Sequence, residues 1–153
     1  MNIVIERPDP DDIETLVAVQ IRAFHDDARL YPGVAIGGPP GYDSVDELRS
    51  DLSKYDGYKI VCDGTIVGGI IVMDRGDGHF HLGTLYIDPD YHNRGIGTQA
   101  VQFIEATYPA TKWTLDTPLY SVRNHHFYEK FGYIKVGEKT EDDIILICYE
   151  KVV

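Results

Sequence analysis

Apolar residues at Ile13, Leu16, Val17, Ile21 and Phe24 recur at helical spacing, and the polar run before them carries the marks of a helix start. Asp9 stands as N-cap and Pro10 at the first helical position, while Asp11, Asp12 and Glu14 bring negative charge to the positive end of the helix dipole. A short strand over residues 2–6 precedes this helix. Ser44-Val-Asp-Glu47 has the form of a capping box and opens a second helix through about Leu52. Between the two helices, residues 29–42 carry Pro32, Gly33, Gly37, Gly38, Pro39, Pro40 and Gly41, which predict one long loop of the kind that often serves function.

Strand patterns follow. Residues 58–62 and 65–74 read as a hairpin turned at Asp63-Gly64, and 79–87 as the next strand after the turn at 75–78. A helix carrying Ile96, Ala100, Val101, Phe103 and Ile104 opens at Gly95 and ends near Pro109. Residues 112–116 form a short strand, and 124–131 a short helix that Gly132 stops. Residues 133–136 and 144–149 close as an antiparallel pair around Glu141-Asp-Asp143. The order β-α-α-β-β-β-α-β-α-β-β predicts a single α/β domain over 1–153, with a mixed sheet flanked by helices.

The chemistry concentrates where the strand over 79–87 leads into the helix opened by Gly95. Gly95 and Gly97 allow the main chain to approach a bound group with no Cβ in the way. The amides from Asn93 to Thr98 then fall at a helix N-terminus, where unpaired N–H groups and the macrodipole favour an anion. Gly95-Ile-Gly-Thr-Gln-Ala100 also matches the dinucleotide fingerprint Gly-x-Gly-x-x-Ala. That fingerprint needs its glycines tight against the strand end. Here residues 88–94 intervene, and too little chain follows for a second nucleotide-binding half, so a dinucleotide fold is excluded.

Composition narrows the partners. Hydrophobic residues make up 43% and charged residues 25%, which is globular. A net charge of −11 argues against nucleic acid as a partner, because its phosphates need a basic face. The same charge serves solubility, and it also attracts a cationic substrate. An anionic ligand must therefore be held locally, which suits backbone amides. No basic leader followed by an apolar stretch opens the chain, and no apolar run approaches the length of a bilayer, so no membrane role and a cytoplasmic location are expected. Cys62 and Cys148 sit in strand-like runs and are expected as free thiols of a reducing compartment.

His92-Asn-Arg-Gly-Ile-Gly97 resembles the cofactor motif of the GNAT N-acetyltransferase superfamily, Gln/Arg-x-x-Gly-x-Gly/Ala, with His in place of the first Gln or Arg. A second family signature is similar to Asn124 followed by Phe127-Tyr-Glu-Lys-Phe-Gly-Tyr133, and the element order agrees along essentially the whole chain. The resemblance implies a GNAT-like, mostly antiparallel sheet of about six to seven strands that splays between strands four and five. It also implies transfer of an acetyl group from acetyl-coenzyme A to a primary amine of a small molecule or peptide, by direct attack. On this reading the main chain at Leu85, Tyr86 and Ile87 pairs with the pantetheine arm. The pyrophosphate meets the loop His92, Asn93, Arg94, Gly95, Ile96, Gly97 and Thr98, while Asn124 and Phe127 line the arm and Tyr128 sits near the sulfur.

Tyr128 is the candidate acid, because a phenol can protonate a departing thiolate. For the base, which must take a proton from an alkylammonium, His81 and Asp116 compete with a water chain to solvent. His79 and His81 have no cysteine or acidic partners at zinc spacing, so no metal site is expected. His125 and His126 read as solvent-facing, and Ser121 lacks the Gly-x-Ser-x-Gly surround of a hydrolase nucleophile. Asp26, Asp27, Asp43, Asp46, Glu47 and Asp51, with Tyr31 and Tyr42, form an acidic, aromatic region suited to a polyamine, an aminoglycoside or a lysine-like amine. A non-catalytic acyl-coenzyme A-binding or sensing module is the other class of function that the glycine loop fits. The closing strands offer an edge for a homodimer.

Overall fold

The computed structural model describes every residue, Met1–Val153. Its strands are β1 (Ile3–Glu6), β2 (Asp56–Cys62), β3 (Thr65–Asp74), β4 (His79–Ile87), β5 (Lys112–Pro118), β6 (Ile134–Glu141) and β7 (Ile144–Val152). The helices are α1 (Ile13–His25), α2 (Asp27–Leu30), α3 (Val45–Lys54), α4 (Ile96–Thr107) and α5 (Val122–Lys130). One seven-stranded sheet has the order β1-β2-β3-β4-β5-β7-β6. The β1–β2, β2–β3, β5–β7 and β6–β7 ladders are antiparallel, and β4–β5 is parallel. The chain clusters into two compact units, Met1–Val72 with Thr84–Tyr108, and Met73–Gly83 with Pro109–Val153.

In the first unit the β2–β3 hairpin turns at Asp63 and Gly64 with φ of 49° and 85°, the left-handed pair a two-residue hairpin requires. β3 is buried on both faces from Val67 to Val72, as a strand covered on each side must be. Gly68 and Gly69 make room there for β4. A Cβ at Gly69 would lie 2.4 Å from the Tyr86 hydroxyl, and one at Gly68 2.4 Å from the Tyr86 carbonyl. Tyr86 is accordingly a core residue whose hydroxyl donates to the Leu16 carbonyl at 3.3 Å, so only its main chain is available to a ligand. α1 follows a 3-10 turn at Pro10–Asp12 and buries Ile13, Leu16, Val17 and Val19, while Ile21 and Phe24 are half-buried. The buried stripe is broader than the spacing predicts, because α1 packs against α3 as well as the sheet.

In the second unit β5 pairs with β7 along its whole length, Lys112↔Val152 through Pro118↔Leu146. Its other edge pairs with β4 only at His79↔Lys112, Phe80↔Trp113 and His81↔Thr114. Trp113 and Leu115 anchor the core, with the Phe80 ring 5.7 Å from that of Trp113. α5 ends at Lys130, and Gly132 just beyond it has a φ of +91° that admits the bond from the Tyr133 amide to the Tyr128 carbonyl.

Several boundaries move once long-range pairing is in place. The expected 29–42 loop begins inside the short helix α2. β5 runs on to Pro118, and β6 spans Ile134–Glu141 because β7 templates it through a shift at Lys135/Gly137. Ser44 caps α3 by accepting from the Glu47 amide at 3.1 Å.

Candidate active site

The loop that joins β4 to α4 is built by unusual backbone. Asn93 (φ +62°) and Gly95 (φ +76°) are both left-handed, which turns the chain sharply into the helix. Gly95 is the N-cap and makes no side-chain capping bond, so the first amides of α4 have no side chain of the cap residue to satisfy them. A Cβ at Gly95 would meet nothing within 4 Å, so the face of the loop beside it is open. An anionic diphosphate fits this cradle.

Two supports hold the loop. The ring of His92 places Nε2 2.9 Å from the Ile87 carbonyl, so the residue that replaces Gln or Arg in the motif ties the loop back to the end of β4. Asp88, only 6% exposed, accepts from the Asp90 amide at 3.0 Å and from Arg22 Nη2 at 2.7 Å. The Arg22–Asp88 pair links α1 to the turn before the loop. Residues so distant in sequence gave no local signal of it. Arg94 lies over the Tyr91 ring at 4.9 Å and donates to the Asp90 carbonyl at 3.3 Å. Leu85 and Ile87 are half-buried on β4, Ile96 is buried, and Gly97 and Thr98 are half-buried.

The second unit brings together the base candidates. His79 Nε2 and His81 Nδ1 each lie 2.7 Å from Thr114 Oγ1. His81 Nε2 faces Asp116 Oδ2 at 4.0 Å, and Asp116 is in turn bonded by Lys139 Nζ at 2.9 Å. Burial drives the His81 pKa down to about 4; Arg75, Lys139 and His79 add to this, and Asp116 opposes it. Burial raises Asp116, but the hydrogen bonds from Lys139 and Cys148 outweigh it and hold the carboxyl below its usual value. At neutral pH the cluster therefore holds a neutral imidazole beside a carboxylate that is already paired.

α5 supplies the remaining candidates. Tyr128 is buried, with its ring edge-on to Phe127 and Tyr133, and burial pushes its phenol well above the ordinary range, so it keeps its proton. Phe127 also packs edge-on to Phe131. Asn124 is exposed and donates through Nδ2 to Thr117 Oγ1 at 3.1 Å. His126 is exposed as expected, but His125 is not a solvent residue. It lies 2.7 Å from the Tyr149 hydroxyl through Nδ1 and 3.0 Å from the Leu119 carbonyl through Nε2, which pins α5 to β7 and to the loop after β5. A contact made only after three elements assemble leaves no periodic trace, which is why helical spacing misplaced it.

A small cleft of about 30 Å³ lies in the first unit, lined among others by Gln20, Leu48, Asp51, Tyr58, Thr84 and Tyr86. Burial, followed by the nearby Glu47, raises the Asp51 pKa, with Lys54 acting against it. Of the expected site residues, Leu85 to Ile87 and His92 to Thr98 belong to the first unit, and His81, Asp116, Asn124, Phe127 and Tyr128 to the second.

The parallel β4–β5 pairing stops after three residue pairs, and the fourth strand leads into an uncapped, glycine-opened helix. The chain belongs to the Acetyltransferase (GNAT) family, whose model matches residues 22–133. Its fold is similar to that of the PaiA N-acetyltransferase from Thermoplasma acidophilum in complex with coenzyme A, with a TM-score of 0.75, 21% identity and 100% of both chains covered. It is similar also to the ribosomal-protein-S18-alanine N-acetyltransferase from Escherichia coli, with a TM-score of 0.75, 14% identity, and 97% of this chain and 92% of that one covered. In sequence it is 42% identical over 73 residues to the uncharacterized protein YrkN from Bacillus subtilis (strain 168), a match that spans 46% of this chain and 40% of that protein. No helix is long and apolar enough to cross a membrane.

Proposed function

We propose that this GNAT-family chain is an N-acetyltransferase that moves the acetyl group of acetyl-coenzyme A to a primary amine of a small molecule or peptide. The observation that carries the reading is the uncapped start of α4 at left-handed Gly95, a ready site for the diphosphate of the donor. Bound acetyl-coenzyme A supplies an activated thioester. The chain's own residues do the rest. The amides of the 93–98 loop hold the diphosphate against the protein's net charge of −11. The main chain of Leu85 to Ile87 pairs with the pantetheine arm, and the Ile87 amide stabilises the developing oxyanion. Phe127 supports the arm, and Asn124 reaches it through its carboxamide oxygen or second Nδ2 proton, one proton being engaged by Thr117.

His81 is favoured over Asp116 as the base. Its imidazole is neutral at pH 7 and so can accept a proton at Nε2, with Asp116 4.0 Å away to stabilise the cation that forms. Asp116 itself is tied to Lys139, which makes it a weaker base. Tyr128, with its proton held firmly, returns one to the leaving sulfur.

The acceptor is a cationic amine. The half-buried Asp51 in the first unit's cleft, and the acidic residues around it, support a polyamine, an aminoglycoside or a lysine side chain. The exposed Ile134 and Val136 on the edge strand β6 support pairing with a second copy, which size-exclusion chromatography would register. Two free cysteines suit the cytoplasm.

The test is titration calorimetry with acetyl-coenzyme A, followed by thiol release against spermidine, kanamycin, a lysine peptide and a neutral amine. Binding with thiol release for a cationic amine supports the reading. Binding without turnover for any amine would instead mark a non-catalytic acyl-coenzyme A sensor, and absence of binding would refute the donor site.

A further inference from the structure

We infer that His81 does not work alone: Thr114 and His79 form with it a hydroxyl-bridged relay that carries the acceptor's proton from His81 out to solvent. The inference rests on the assignment of His81 as base. The geometry behind it is a single oxygen shared by two rings, with His79 Nε2 and His81 Nδ1 both 2.7 Å from Thr114 Oγ1. A threonine hydroxyl has one hydrogen to give. At most one ring can receive it, and in that pairing the other ring must donate an N–H to the same oxygen, which couples the two tautomers; two N–H donations to the two lone pairs of the oxygen would leave them uncoupled.

In the arrangement ready for catalysis His81 carries its hydrogen on Nδ1 and donates it to Thr114, whose own hydrogen goes to His79 Nε2. His81 Nε2 then presents a lone pair on the side of Asp116. When Nε2 takes a proton from the ammonium group, the Nδ1 proton passes to Thr114 Oγ1 and the threonine proton passes to His79 Nε2. His79 is then the cation, and it releases its Nδ1 proton to water. One proton enters and one leaves; proton exchange of both rings with water between turnovers restores the starting tautomers.

The electrostatic surroundings favour this direction. His81, 13% exposed, is faced by Arg75, Asp116, Lys139 and His79, and burial is the main cause of its low basicity. His79 is faced by Lys112, Arg75 and Glu150 and is depressed less far. A proton caught at His81 therefore moves downhill to His79. Thr114 and His79 act through His81, as positioning and relay residues.

Two measurements test the relay. The first needs no substrate. Nitrogen-15 correlation spectra of the histidine rings report the tautomers directly; the wild type should show both rings protonated on Nδ1, and Thr114→Val should release both to the Nε2–H form. His81 protonated on Nδ1 with His79 protonated on Nε2, both rings then donating to Thr114, would overturn the coupling, and so would both rings resting in the Nε2–H form, which leaves His81 Nε2 no lone pair for the incoming proton. The second uses the amine that turns over in the panel, with spermidine the first probe. Thr114→Val and His79→Gln should each lower kcat/KM about tenfold or more. Thr114→Ser should restore most of the rate, and added imidazole should rescue His79→Gln but not His81→Gln. Unchanged acetyl-coenzyme A binding certifies that each variant is folded. If His81→Gln is impaired while Thr114→Val and His79→Gln are not, the relay falls and the base assignment stands. If His81→Gln is itself fully active, the base assignment falls and takes the relay with it.

Discussion

Replacing His81 by asparagine should remove about 2 kcal/mol of acid sensitivity from the folded protein. In the unfolded chain an imidazole titrates near its ordinary value of 6.5, whereas in the native state burial and the neighbouring Arg75, Lys139 and His79 bring His81 down to about 4. Between those values the unfolded chain binds more protons than the folded one, so acid favours unfolding. The native advantage of a neutral His81 is complete above 6.5 and drains away as the pH falls toward 4. At pH 5 the unfolded imidazole is almost fully charged and the folded one only about a tenth so, and the linkage integral from pH 7 to pH 5 comes to about 2 kcal/mol. That is a large share of the 5–15 kcal/mol, roughly, by which domains are stable. Urea denaturation of wild type and His81→Asn at both pH values isolates the contribution, since every other titrating group is shared. The wild type should lose about 2 kcal/mol more than the variant on going to pH 5. Equal losses would refute the reasoning, for they would mean that His81 titrates as if exposed.

Three further outcomes follow from the site. Tyr128→Phe should lower turnover about 10²-fold with acetyl-coenzyme A affinity little changed, measured by thiol release and calorimetry; an unaltered rate would remove Tyr128 from the mechanism. Gly95→Ala meets no steric obstacle but forces a side chain into φ +76°, so it should cost about 1–2 kcal/mol of stability and weaken acetyl-coenzyme A binding. Binding as tight as in the wild type would show that the loop does not need its left-handed turn. Arg22→Ala leaves the buried Asp88 carboxylate without its cation; a loss of about 2 kcal/mol is expected in denaturation, and donor affinity should fall with it.

Much of this molecule was legible in local chemistry. Asp63-Gly64 specified a two-residue hairpin because only such a pair takes up the left-handed turn at little cost, and Gly132 ended α5 for the same reason. The glycine-opened helix α4 was legible too, since an N-terminus without a capping side chain is a feature of a few consecutive residues. These are properties that the chain carries before it folds. What pairing and packing decided lies beyond that range: the continuation of β5 to Pro118 and β6 to Glu141, the burial of Tyr86 over Gly69, and the Arg22–Asp88 clamp. The same holds for His125, which its helix alone would leave in solvent, and for the oxygen of Thr114 shared by His79 and His81. The sequence by itself determined which residues could bind an anion or move a proton. Tertiary structure decided which of them meet, because a hydrogen bond or a desolvated charge depends on distances of a few ångströms between atoms that the chain separates by dozens of residues.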